Sequence, residues 1–63
     1  MKVNGVEYEI ERIGVGSLLE RQGIVFRGVA VAVNGEIVRR SEWGTTWIEP
    51  TDEVEILTAA AGG

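Results

Sequence analysis

The chain has 63 residues, no cysteine and no histidine, with ten acidic against six basic side chains and a net charge of −4. Those counts exclude disulfide staples, thiolate chemistry, the commonest zinc and copper ligands, and the usual base that activates a serine nucleophile. One small domain of this size buries only about 60% of the surface of its unfolded chain, so few side chains are spare for an enclosed interior site.

Two Asn-Gly pairs organise the reading in chain order. Asn4-Gly5 separates Met1–Val3 from Val6–Ile10, and Asn34-Gly35 separates Val29–Val33 from Glu36–Val38. Asn-Gly suits both central positions of a type I′ turn, whose twist matches that of paired strands. In Val6-Glu7-Tyr8-Glu9-Ile10 apolar and acidic residues alternate, which predicts a half-buried strand over all five. Val15 to Gln22 is the helix candidate: Val15, Leu18, Leu19 and Gln22 share one face, and Gly23 is the expected left-handed stop. Its start is weakly capped by Gly14 or Ser17, and Gly16 costs about 1 kcal/mol against alanine inside it. Ser41-Glu42-Trp43 reads as a short turn or 3₁₀ segment. Glu49-Pro50-Thr51-Asp52 reads as a turn feeding a last strand in which Val54-Glu55-Ile56 alternates again.

The order hairpin, helix, hairpin, turn, strand gives an α+β protein in which one short helix covers a mixed sheet of four to five strands. The two-layer solution with that order is the β-grasp, or ubiquitin-like, fold, with the first and last strands parallel at the sheet centre. Residues 1–58 form that domain. Residues 59–63, Ala59-Ala60-Ala61-Gly62-Gly63, form a flexible tail ejected from one end and able to reach roughly 16 Å when extended.

The tail is the part read as functional. Two glycines lack a Cβ and can thread a channel too narrow for any side chain. Gly63 then presents an unhindered carboxylate, and Gly62 gives clearance in a partner's channel. Other motifs fail. Gly14-Val15-Gly16 opens like a phosphate loop, but Leu19 stands where the third glycine belongs. Asp52, Glu53 and Glu55 lack the spacing of a cation loop, and Glu53 and Glu55 are read as pointing to solvent on one strand face. Trp43 is read as core. Trp47 is read evenly as core or as an exposed anchor, and with Arg40 it is the candidate partner contact. The single basic pair, Arg39-Arg40, is no stripe for nucleic acid. No apolar run reaches the roughly 18 residues of a membrane span and no signal peptide opens the chain, so the expectation is a soluble, cytoplasmic protein that binds neither nucleic acid nor membrane.

Val33-Asn34-Gly35-Glu36-Ile37-Val38, Arg40-Ser41-Glu42-Trp43, Asp52-Glu53-Val54-Glu55-Ile56-Leu57-Thr58 and Gly62-Gly63 together resemble the ThiS family, the small ubiquitin-like sulfur carriers of thiamin biosynthesis. The resemblance covers nearly the whole chain and implies a β-grasp fold. It also implies a carrier that is not itself an enzyme and binds no cofactor. In such systems an E1-like adenylyltransferase (ThiF-like) uses ATP and magnesium to adenylate the terminal carboxylate, here Gly63. Sulfur originating from a cysteine desulfurase persulfide displaces AMP and leaves a thiocarboxylate, which a thiazole synthase (ThiG-like) consumes. Arg39 stands where the family often has proline, and Pro50-Thr51 replaces a frequent Asp-Gly. Thr51 tolerates positive φ poorly, so that turn is expected to be of another type. The small subunit of molybdopterin synthase and ubiquitin-like modifiers share the Gly-Gly ending and are alternatives within the class. A plain protein-binding module with an idle tail is the alternative outside it.

Overall fold

The structure, a computed structural model, describes residues 1–58. The predicted tail of residues 59–63, with Gly62 and Gly63, lies outside the described residues.

The chain enters through β1 (Lys2–Val3), turns at Asn4-Gly5 and returns as β2 (Val6–Glu7). Then come β3 (Ile13–Gly14), α1 (Val15–Arg21), β4 (Val29–Val33) and β5 (Glu36–Val38). A 3₁₀ turn at Arg40–Glu42, β6 (Trp47–Ile48) and β7 (Glu53–Thr58) complete the order. Five strands form one sheet in the order β2-β1-β7-β4-β5. β1 runs parallel to β7, while the other pairs are antiparallel. The last strand therefore occupies the centre, held between the first strand and β4, as the β-grasp reading requires.

Both predicted turns form for the stated reason. Asn4 and Gly5 have φ of 50° and 82°, and Asn34 and Gly35 have 52° and 85°, the paired positive values of a type I′ turn. Helix α1 stops at Gln22, and Gly23 follows at φ 72°. The Ile24 N–H bonds back to the Leu19 carbonyl at 2.9 Å, closing the helix end. No side chain caps its start at Gly14, so packing must hold the helix. Val15, Leu18 and Leu19 are buried against Val3, Val31, Val54 and Ile56 of the sheet, with Ile48 and Trp43 closing the core. Thr51 keeps negative φ, and the 49–52 turn closes with the Asp52 N–H on the Glu49 carbonyl at 3.0 Å.

Two expectations need correction. The strand predicted over Val6–Ile10 ends at Glu7, and Val6 and Tyr8 are exposed while only Ile10 of the three apolar residues is buried. Among the described residues β2 is an edge strand whose sole partner is two residues long, and a last rung from Tyr8 N–H to the Met1 carbonyl (2.8 Å) ends the pairing. Alternation alone cannot bury a face that has no layer over it. The single-sheet reading also omits a second, two-stranded ribbon, in which Ile13 pairs with Ile48 and Gly14 with Trp47.

Candidate functional site

Residues 59–63 follow β7 directly in the sequence, and Thr58 is the last described residue. Val54 and Ile56 point into the core, which turns Glu53, Glu55 and Leu57 to the opposite face of the sheet. On that outer face Leu57 pairs across to Ala30, and Glu55 to Ala32, which in turn pairs with Ile37 of β5. Leu57 and Ile37 are 62% and 68% exposed. Towards the end of β7 the protein thus presents two large aliphatic side chains over a floor of two alanines, with Glu55 in the same row.

The strand beneath this patch is fixed by both Asn-Gly turns. The Asn4 N–H donates to the Val54 carbonyl at 2.9 Å. Its side chain then continues where β1 stops: Asn4 Nδ2 donates to the Ile56 carbonyl (3.1 Å), and the Ile56 N–H donates to Asn4 Oδ1 (2.7 Å). On the other side the Asn34 N–H donates to the Glu53 carbonyl (2.7 Å), while the Glu53 N–H donates to Asn34 Oδ1 (2.9 Å). Asn34 Nδ2 reaches Asp52 Oδ1 at 3.0 Å, and the other oxygen of Asp52 accepts the Glu49 N–H at 2.8 Å. The carboxylate of Asp52 is therefore committed to the turn, and Glu53 and Glu55 stand in solvent. Among the described residues no group of three or more acidic side chains is placed to hold a metal ion.

Sequence reasoning chose Asn4 and Asn34 as turn formers and missed their second role. A side-chain amide that imitates a peptide group in a ladder has no local signature, because its partner lies 52 residues away in the case of Asn4. The two proposed partner contacts separate. Trp47 is 55% exposed on β6, with the Arg12 guanidinium 4.5 Å from its ring centre and Arg12 Nε 3.0 Å from Glu49 Oε2. Arg40 is exposed in the 3₁₀ turn, its guanidinium 5.8 Å from the ring centre of Trp43. Trp43 is core, 5% exposed, with its indole N–H on the Val38 carbonyl at 3.0 Å and its ring edge-to-face with Phe26. No described helix is long and apolar enough to cross a membrane.

The family model of the ThiS family matches residues 1–63. The chain belongs to the ThiS family. A crystal structure of the thiamine biosynthesis protein ThiS from Geobacter metallireducens is similar to it with a TM-score of 0.83 and 30% identity. The match covers 98% of this chain and 96% of that one. Among curated protein sequences none matches. The ThiS resemblance carried by the motifs, and the mixed five-stranded sheet on one helix, are thus borne out for residues 1–58. The identity of the reactive residue is a separate matter, since Gly62 and Gly63 lie outside the described residues.

Proposed function

We propose that this ThiS-family protein is a sulfur carrier of thiamin biosynthesis and that the terminal carboxylate of Gly63 carries the sulfur as a thiocarboxylate. The observation that carries this reading is the family match over the full 1–63 span, joined to a fold in which the central strand leads directly into residues 59–63. The structural likeness to a thiamine biosynthesis protein favours the thiamin branch over the molybdopterin and modifier alternatives.

The chemistry follows from what a carboxylate lacks. It is a poor electrophile, and adenylation by an E1-like, ThiF-like partner with ATP and magnesium supplies a leaving group that sulfur can displace. A persulfide donor such as a cysteine desulfurase delivers that sulfur: the persulfide attacks the acyl adenylate, AMP leaves, and a thiol reductant cleaves the resulting acyl disulfide to free the thiocarboxylate, which a ThiG-like thiazole synthase accepts for ring formation. The carrier's own contribution is presentation. Gly62 and Gly63 add no side chain to be accommodated in the partner's channel. The patch of Leu57, Ile37 and the two alanines offers a desolvating surface beside the tail root, and exposed aliphatic clusters rimmed by charge serve such docking.

The test is high-resolution mass spectrometry of the C-terminal fragment after incubation with an E1-like partner, ATP and a sulfur source. ATP-dependent exchange of one oxygen for sulfur at Gly63 is the expected result. The fragment is measured because oxidation of Met1 gives nearly the same gain in mass. An unmodified tail, with the partner active on another carrier, would overturn the reading.

A further inference from the structure

The weak, glycine-rich start of α1 has no explanation in the fold. Gly14, Gly16 and Gly44 all keep negative or extended φ. A Cβ added to Gly14 would come no closer than 4.0 Å to the Thr46 carbonyl oxygen, and one added to Gly16 would lie 3.7 Å from Phe26. At Gly44 it would meet nothing within 4 Å among the described residues. Neither backbone conformation nor packing requires glycine at these positions.

What the three positions share is an open pocket of about 310 Å³. Its other walls include Phe26, Trp43 and Trp47, with Glu20 as the only charged side chain among the lining residues. Side chains at the glycines would narrow it. The aromatic walls are already cation platforms: Arg12 lies over Trp47 and Arg40 over Trp43, and neither arginine is among the residues that line the pocket. Arg12 is also paired with Glu49, so its charge is partly offset. The lining therefore combines aromatic surface, chiefly that of Trp47 because Trp43 is 5% exposed, with one carboxylate and no cation among the lining residues. That chemistry suits a planar guanidinium, which stacks on indole and pairs with a carboxylate.

We propose that this pocket receives an arginine side chain from a partner protein. The chain's net charge of −4 complements a basic partner surface, and such complementarity guides encounter. The proposal stands apart from the carrier chemistry at Gly63 and is testable on the isolated protein.

The experiment is a titration of the protein with Nα-acetyl-arginine amide, followed by 1H–15N NMR, beside the uncharged, similarly shaped Nα-acetyl-citrulline amide. Saturable shifts of the Trp47 indole N–H and the Gly16 and Gly44 amides with arginine, absent with citrulline, are expected. Glu20→Gln should weaken binding roughly three-fold or more, the scale of a partly exposed ion pair with a cation–π contact. Gly44→Val, whose side chain has open space to enter, should abolish the shifts. Equal shifts with citrulline, or no saturable shift with arginine on the unmodified protein, would overturn the proposal. Dilution-dependent shifts of the same signals without ligand would assign the pocket to a second copy of the chain and overturn it equally.

Discussion

The side-chain amide of Asn4 and the peptide group of Ile56 bond to each other in both directions, at 3.1 and 2.7 Å. An asparagine side chain thereby substitutes for the rung that β1 would have supplied had it run one residue pair further. Because Asn4 also holds the positive φ of its turn, its two roles can be separated by substitution. Asn4→Gly keeps the turn and removes the amide. The expected cost is about 1–2 kcal/mol for two partly buried hydrogen bonds, or a fall in Tm of roughly 5–15 °C. Faster amide exchange at Ile56 should accompany it. A variant that melts with the wild type would show the amide pair to be dispensable.

Gly16 gives a prediction of opposite sign. Its φ is ordinary, and a Cβ there meets only Phe26 at 3.7 Å. Gly16→Ala should stabilise the domain by about 1 kcal/mol, the helix-propensity difference. Chemical denaturation measures it directly, and a destabilised variant would mean that the helix start needs more room than the contact distance implies.

Leu57 and Ile37 contribute exposed surface, so replacing them should separate folding from docking. Ile37→Glu and Leu57→Glu are each expected to change stability by about 0.5 kcal/mol or less, as exposed substitutions do. Both should reduce the rate at which an E1-like partner activates the tail. Unfolding measurements beside an adenylation assay test the pair of claims. Wild-type activation in the double variant would remove the patch from the partner interface.

At the tail itself, Gly63→Ala is expected to lower adenylation by roughly ten-fold or more, since small displacements of a reacting group can cost about 100-fold. Removing Gly62 and Gly63 should abolish sulfur transfer and leave Tm within about 2 °C, because terminal residues outside a core contribute little to stability. A large fall in Tm on truncation would show that the tail packs on the domain.

The elements legible in the sequence are those whose cause is local. Asn4-Gly5 and Asn34-Gly35 announce their turns because few residue pairs accept positive φ twice. Gly23 announces the end of α1 for a related reason. Val54 and Ile56 alternate with glutamates and are buried as expected. Val6, Tyr8 and Ile10 show the same alternation and were misread, because burial depends on what covers a strand, and the edge position of β2 is a property of the whole sheet. The ribbon joining Ile13 to Ile48 is invisible for a similar reason: two residues per strand carry no period, and the paired residues are 33 and 35 apart in sequence. Gly62 and Gly63 are proposed on chemistry alone and lie outside the described residues, whereas the patch around Leu57 exists only because β4 and β5 lie beside β7. Trp43 and Trp47 look alike in sequence. The core claims one and the surface the other, because Trp43 reaches the Val38 carbonyl while Trp47 stands on a ribbon outside the main sheet.

The central place of β7 has a mechanical consequence. A load applied at Thr58 along the strand is met by β4 over nearly the whole length of β7, from Val29 at Thr58 to Val33 at Val54. On the other flank the Asn4 amide meets it at Ile56 and β1 only at Val54 and Glu53, where Asn34 adds a further bond. Such a strand fails in shear, with many hydrogen bonds loaded together, whereas an edge strand peels one bond at a time. A pull applied beyond Thr58 therefore has to load those bonds together before β7 can leave the sheet.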